Sequence, residues 1–406
     1  MYPNELYDYS LIITNLEKIL NWYIDNKFTC KLDIFSGEWL TTPLADQVFD
    51  LFEHKFSKID QKYRPRAISM PDNAHFLESE FYTAKVESYI ERMAHLNIPV
   101  HLSLSVDGYY CDYGRKNHKD EFYKTLNDFC IKHNYGIHPM VSSGNVQHWI
   151  ENYKWWKNTY PEISNDIMML EVRDNSWTPE SLQALIDFCD FLFDDKFKEY
   201  NYDKEKFLKY IFCLFGRGIS SNKEDKIYHQ TNPILLRNHG VNLNIDRMSC
   251  STYINLAIRV ADLTVGPCHR LFYPEWIFGK YNIDENGNIT DFEPKNVSSL
   301  IAYKNIKVSC LPYCEKCLFN NFCLGHCFGA SYETLGNPFV PNKEVCNLYK
   351  SEITFILYKL HQLNLLDKEG LEILQNHMTG IEFQQFYALY QSIIINSDLE
   401  KSSDLD

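Results

Sequence analysis

Along the first half of the chain, short apolar runs alternate with longer stretches whose apolar residues recur at helical spacing. That spacing predicts helices near 10–26, 43–55, 78–96, 119–133, 145–159 and 178–193. Nearly continuous apolar runs precede five of them: Lys31–Ser36, Arg66–Met70, Val100–Ser105, Ile137–Ser142 and Ile167–Val172. Strands separated by helices of this length predict βα units and a parallel sheet. Continuous apolarity is what a sheet covered on both faces requires. The pattern holds six helices but five strands, and it opens on a helix where a βα repeat opens on a strand. Without a strand ahead of helix 10–26, strand 31–36 has an open edge. We expect that the chain has lost its first strand; the alternative is a sheet that ends there by design.

The second half is patterned differently. Residues 197–247 are polar and read as a connector. Leu256–Val260 and Leu263–Val265 flank a turn at Ala261-Asp262 and predict a hairpin leading to Cys268. Gly279 to Thr290 is turn-rich. A helix is predicted from about Asn347 to Leu365, a second near 369–396, then a polar tail. The expected segments are 1–196, 197–247, 248–350 and 351–406.

With 406 residues, 45% of them hydrophobic, the chain can bury sizeable cores. Its net charge of −14 is dispersed, and no basic stripe offers a nucleic-acid surface. The N-terminus lacks the basic start and apolar stretch of a signal peptide. No run approaches the roughly 18–20 apolar residues of a membrane span. We therefore expect a cytoplasmic protein with neither nucleic acid nor membrane as partner. Thirteen cysteines are many for a reducing compartment, where structural disulfides are rare. Cys30, Cys111, Cys130, Cys189 and Cys213 are scattered singly, as small buried hydrophobes are. Cys310, Cys314, Cys317, Cys323, Cys327 and Cys346 fall within 37 residues.

The string Cys314-x2-Cys317-x5-Cys323-x3-Cys327, followed by Cys346, is a compact ligand array. Thiolates are soft donors that select zinc, copper(I) or iron–sulfur clusters. Gly325 and Gly329 relax the backbone between ligands. Tyr313, Leu318, Phe319, Phe322 and Phe328 would keep water from the sulfurs, which matters for a redox centre. A four-cysteine zinc site is the alternative.

The array resembles the SPASM domain, the C-terminal auxiliary-cluster domain of many radical S-adenosylmethionine (SAM) enzymes. Cys268, ten residues and then Gly279 match the opening of that pattern, the four-cysteine string matches in full, and Cys346 supplies the last position. The resemblance implies two 4Fe-4S clusters. Cys314, Cys317, Cys323 and Cys346 would bind one; Cys268 and Cys327, with Cys250 upstream, would bind the other. Where the family often has a further cysteine, this chain has Asp284. The fourth position would then fall to Asp284, to Cys310, or stay open for substrate.

The βα half resembles the partial six-unit barrel of the same enzymes, here without its first strand. Ser36-Gly37-Glu38-Trp39 resembles the Gly-Gly-Glu-Pro motif that receives the methionine amino group. Ser103, Ser105 and Asp107 resemble the strand whose polar side chains approach the ribose and carboxylate. The stretch from Asp112 to Phe122, with Arg115, resembles the region after that strand. Ser142 ends the next strand; Glu171 and Arg173 end the last. By this likeness Gly37, Glu38, Ser103, Ser105, Asp107, Ser142 and Arg173 are the candidate SAM contacts, all at the carboxyl ends of strands. The catalytic Cys-x3-Cys-x2-Cys motif is absent from the first half. Its one literal match, Cys310-x3-Cys314-x2-Cys317, lies far past the barrel. The missing motif and the missing strand fall at the same place, so we expect a segment lost upstream of Met1, with a degenerate relative as the rival account.

Within the family, Met169 to Thr178 and the aromatic-rich Trp149–Trp156 resemble maturases of ribosomally made peptides. The implied reaction is hydrogen abstraction from a peptide or protein substrate, with a flavodoxin or ferredoxin as reductant. This chain alone is expected not to cleave SAM. Anaerobic sulfatase maturation is the runner-up; there an Asp follows the cysteine equivalent to Cys268, and here it is His269, a candidate base. A non-catalytic iron–sulfur partner that binds peptide is the third reading.

Overall fold

The computed structural model describes residues 8–35, 38–111, 118–164, 166–167, 170–172, 174–208, 219–220, 257–307, 310–319, 327–377 and 380–395. In chain order the elements are α1 (Tyr9–Asp25), β1 (Leu32–Asp33), α2 (Pro43–Phe56), β2 (Ile68–Asp72), α3 (Glu80–His95), β3 (Val100–Leu104) and α4 (Asp120–His133). They continue with β4 (Met140–Val141), α5 (Trp149–Thr159), α6 (Pro161–Ser164), β5 (Asp166–Ile167), β6 (Leu170–Glu171), α7 (Pro179–Glu199) and β7 (Ile219–Ser220). The last third holds β8 (Ala257–Arg259), β9 (Thr264–Gly266), β10 (Gly279–Ile283), β11 (Ile289–Pro294), α8 (Val297–Asn305), α9 (Phe328–Leu335), α10 (Lys343–Gln362), α11 (Lys368–His377) and α12 (Gly380–Tyr390). The fold is mixed α/β, with a small parallel sheet and a separate antiparallel one. No described helix is long and apolar enough to cross a membrane.

The chain divides into two compact units. The first comprises Met1–Val106, His118–Ile137 and Ser251–Asn305. Its parallel strands run in the order β1-β2-β3, Leu32 opposite Ile68 and Ile68 opposite Val100, and Leu104 bridges in parallel to Ile137. Sequential order means that each helix crossover steps to the next position in the same direction. The alternating burial of β2, with Ile68, Met70 and Asp72 inward, sets its register against Val100 and Leu102. Aromatic rings of α2 and α3 fill the space beneath, with Phe49 stacked on Tyr89 at 4.4 Å.

The antiparallel sheet of this unit runs β11-β10-β9-β8. The predicted hairpin forms at Ala257–Gly266, its turn held by the Asp262 carboxylate. That group pairs with Arg259 and accepts from the Thr264 amide and hydroxyl. Helix α1 joins the sheet through Asn15, a buried amide that donates to the carbonyls of Val260 (2.9 Å) and Ala261 (3.1 Å). The stretch expected to be only turn-rich, 279–290, is a second hairpin, β10–β11. Gly279 is required there because a Cβ would collide with the Phe292 ring and the Glu293 carbonyl.

The second unit comprises Asp107–Asn117, His138–Cys250 and Ile306–Asp406. Strands β4 and β6 pair in parallel. Helix α7 opens on a reciprocal cap between Thr178 and Ser181, with Pro179 at its first position. Phe193 of α7, Phe207, Leu208, and Ile356, Leu357 and Leu360 of α10 share one apolar core with α11 and α12. At about 1.5–3 kcal/mol for each large side chain buried, this core fixes α10 firmly. The predicted helix 369–396 is two helices, α11 and α12, the second ending in a π turn at Gln391–Ile395. Of the expected connector, Phe207 and Leu208 are core residues, and β7 pairs antiparallel with β5.

Candidate functional site

Parallel sheets present ligands at the carboxyl ends of their strands, and in the first unit the candidates Glu38 and Ser105 meet there with Asp72. Asp72 ends β2, is 6% exposed, and accepts from the Ala74 amide at 2.7 Å through Oδ1. Its own carbonyl accepts from the Ser105 amide at 2.7 Å, tying the end of β2 to the end of β3. Burial, reinforced by the charge of Glu38 and a hydrogen bond to it, pushes the Asp72 carboxyl up to about 7. Asp72 therefore keeps its proton up to near neutrality. Such a buried acid beside an exposed one is a proton-holding group at a ligand-binding edge.

Phe35, just past β1, is half-exposed and lies flat against His269, the rings 4.3 Å apart at 5°. The Cys268-His269 segment therefore packs on the same end of β1 that leads to Glu38. Ser103 lies within β3, opposite Pro71. Asp284 caps its own hairpin turn: Oδ1 accepts from the amides of Asn286 (2.9 Å) and Asn288 (2.7 Å), and Oδ2 from the Asn288 side chain (3.2 Å). These bonds hold the carboxyl below its usual range. Both of its oxygens serve the turn.

Asp107 and Ser142 belong to the second unit. Asp107 is buried, and its Oδ1 accepts from the Met140 amide at 2.7 Å while its carbonyl accepts from Asn152 Nδ2 at 2.7 Å. Asn152, fully buried, also accepts from the Tyr110 amide. Gly108 sits between them with φ +110°, where a Cβ would meet Trp156 and the Asn152 amide. Asp107 is thus a clasp for its own loop. The Ser142 amide donates to Asn145 Oδ1, which also accepts from Trp149 Nε1. The aromatic run Trp149–Trp156 is chiefly core: Trp149, Tyr153 and Trp156 are buried.

The cysteine array lies in the second unit as well. Cys314 and Cys317 are half-buried in successive turns, the Cys317 amide donating to the Cys314 carbonyl at 3.1 Å. Tyr313 before them takes φ +66° and is 86% exposed. Cys346 stands in the first turns of α10, whose Asn342 cap accepts from the amides of Glu344 and Val345. Burial, together with the Cys346 and Cys317 thiols, pushes Cys314 up to about 11. Burial raises Cys346 too, with Lys350 one turn on acting against it. The three thiols are therefore neighbours, and Cys314 and Cys346 hold their protons at neutral pH until a metal displaces them. Among the described residues no three thiols lie within 4.8 Å of one another. Cys327 stands at the N-cap position of α9 without a side-chain capping bond, and Cys310 is exposed. Gly37, Arg115, Arg173, Cys250 and Cys323 lie outside the described residues, and so does the Glu171 side chain.

Asp72 escaped the sequence reading. A lone Asp ending a strand carries no signal until strand pairing brings Glu38 beside it. Compared with models of known families and with curated proteins, the chain matches none.

Proposed function

We propose that the chain is a SPASM-type iron–sulfur protein that acts on a ribosomally made peptide or protein. What carries this is the thiol set Cys314, Cys317 and Cys346, half-buried and close enough to act on one another, at the spacing of the ligand string in the sequence. With Cys323 they would hold one 4Fe-4S cluster; Cys250, Cys268 and Cys327 would serve a second. A bound cluster supplies one-electron exchange or an open iron for substrate. The protein's own part is to hold Cys346 on a rigid helix; Tyr313 and Leu318, expected to keep water from the sulfurs, are exposed instead.

Support for a radical-SAM-like partial barrel comes from the sequential parallel order β1-β2-β3 and from Glu38, Asp72 and Ser105 at its carboxyl edge. SAM would bind along that edge, with the Asp72–Glu38 pair holding a proton beside it. The sequence contains no Cys-x3-Cys-x2-Cys in its first half. That favours, as a second reading, a peptide-binding iron–sulfur partner that does not itself cleave SAM. His269, flat against Phe35, does not favour the sulfatase-maturating reading over these.

Anaerobic reconstitution with ferrous iron and sulfide tests the assignment. The expected result is about eight irons per chain, with Cys314→Ala/Cys317→Ala losing about half. Tightly bound zinc with no visible chromophore, or iron content untouched by the double variant, would overturn it. Formation of 5′-deoxyadenosine under reducing conditions would exclude the non-catalytic reading.

A further inference from the structure

A second donor cluster lies in the first unit, among residues that the cysteine array does not involve. After β2 the chain turns through Ala74, at φ 64°, into a 3-10 turn spanning His75–Glu78. The Asp72 and Asn73 side chains accept from the Ala74 and His75 amides, and Phe76 and Leu77 are buried beneath. In a 3-10 helix the residues at i and i+3 eclipse. His75 and Glu78, the first and last of the turn, therefore face the same way. The third member, His118, stands just ahead of α4. Its side chain is 3% exposed, and its ring lies flat on Phe122 at 3.7 Å.

We propose that His75, Glu78 and His118 form a three-ligand site for a divalent transition-metal ion, with zinc the best fit. Their ligand atoms all lie within 4.8 Å of one another. The Glu78 carboxylate oxygen Oε1 is 3.2 Å from His118 Nδ1 and 3.6 Å from His75 Nδ1. Two donors sharing a tetrahedral ion at about 2.0–2.1 Å should stand about 3.3 Å apart, so the spacing matches. His75 Nδ1 is buried and makes no hydrogen bond among the described residues, although the carboxylate is near. The two imidazoles, 5.8 Å apart at 54°, approach a common point from different directions. Two neutral imidazoles and one carboxylate are a borderline donor set that suits zinc or iron(II). Three protein ligands leave a fourth position for water or substrate. The ion would also fasten the turn after β2 to the start of α4, two segments about forty residues apart in sequence.

The test counts metal on the full chain. Metal-depleted protein is equilibrated in buffered free zinc, as wild type, Glu78→Gln and His118→Gln. Zinc equivalents, and melting temperature with and without zinc, are compared. Because the cysteines also take zinc, cobalt(II) substitution separates the sites: thiolate ligation gives sulfur-to-cobalt charge transfer, and this site gives d–d bands without it. We expect one equivalent bound at least tenfold more weakly in Glu78→Gln and absent in His118→Gln. The thiolate bands should be unchanged, and the zinc-dependent rise in melting temperature should disappear. Glu78 is 41% exposed, so its substitution tests the ligand without emptying a core. Equal zinc stoichiometry and affinity in wild type and Glu78→Gln, or a cobalt spectrum of thiolate type alone, would overturn the proposal.

Discussion

Replacing Asp72 with Asn should remove a pH-dependent instability. In the folded chain the Asp72 carboxyl sits at about 7, against 3.8 for the ordinary side chain, with burial the first cause and Glu38 the second. Between those values the folded protein keeps a proton that the unfolded chain releases. Stability contributed by this group is therefore complete below about pH 3.8, falls as pH rises through the window, and is lost above about pH 7. A carboxyl raised that far sets an upper limit of about 4 kcal/mol. Glu38 is exposed, so part of its charge is screened, and about 1–3 kcal/mol is the reasonable size. The introduced amide oxygen would still accept from the Ala74 amide, so the turn should survive.

Urea unfolding, followed by tryptophan fluorescence and circular dichroism, reads the difference between wild type and Asp72→Asn. At about pH 8 the variant should be more stable by about 1–3 kcal/mol, and at about pH 4.5 the difference should approach zero. Glu38→Gln removes the charge and leaves the burial, so it should narrow the window without closing it. A difference between wild type and Asp72→Asn that stays constant with pH would refute the protonated-pair assignment. A pH dependence wholly abolished by Glu38→Gln would show that charge, not burial, is the larger cause.

Gly108→Ala should destabilise by more than about 2 kcal/mol, because φ +110° and the contacts with Trp156 and Asn152 leave no room for a Cβ. A thermal melt within a degree of wild type would contradict this. Asn15→Leu should cost about 1–3 kcal/mol by stripping the Val260 and Ala261 carbonyls of their donor. Faster proteolysis of the 257–266 hairpin is the accompanying readout.

The parallel strands were legible as short apolar runs between helical stretches, but β2 and β3 alternate in burial and β1 is partly exposed, so the expected cover on both faces is not what the structure shows. Hairpin β10–β11 was not legible. Lys280-Tyr281-Asn282-Ile283-Asp284 does alternate, but the run is short and most hairpin positions remain at least partly in water, so the turn residues around Gly287 dominate the pattern. Helix α10 begins at Lys343, four residues before the expected start at Asn347, because Asn342 caps it and Val345 in its first turn is already buried. The Trp149–Trp156 run showed aromatic content without direction; only the packing against α7, with Trp149 beside Phe188, shows that these rings fill a core. At the candidate sites, local chemistry was legible and convergence was not. Cys314 and Cys317 announce themselves by spacing, but Glu38 with Asp72, and His75 with Glu78 and His118, become neighbours only through strand and turn geometry.

The two halves of the thiol set differ in what holds them, and this makes a further prediction. Cys346 stands on α10, whose far side is locked by Ile356, Leu357 and Leu360 into the core shared with α7. Cys314 and Cys317 lie in turns after an exposed Tyr313, and between 310 and 319 only Leu311 is buried. Loading the site displaces thiol protons and pulls the sulfurs to fixed positions, so the strain of closing falls on the less anchored side. Hydrogen exchange before and after anaerobic iron–sulfide reconstitution should show new protection in 310–319 and almost none in 343–362. Protection gained mainly within α10, with 310–319 exchanging as before, would mean that the thiols of the turns do not carry the metal.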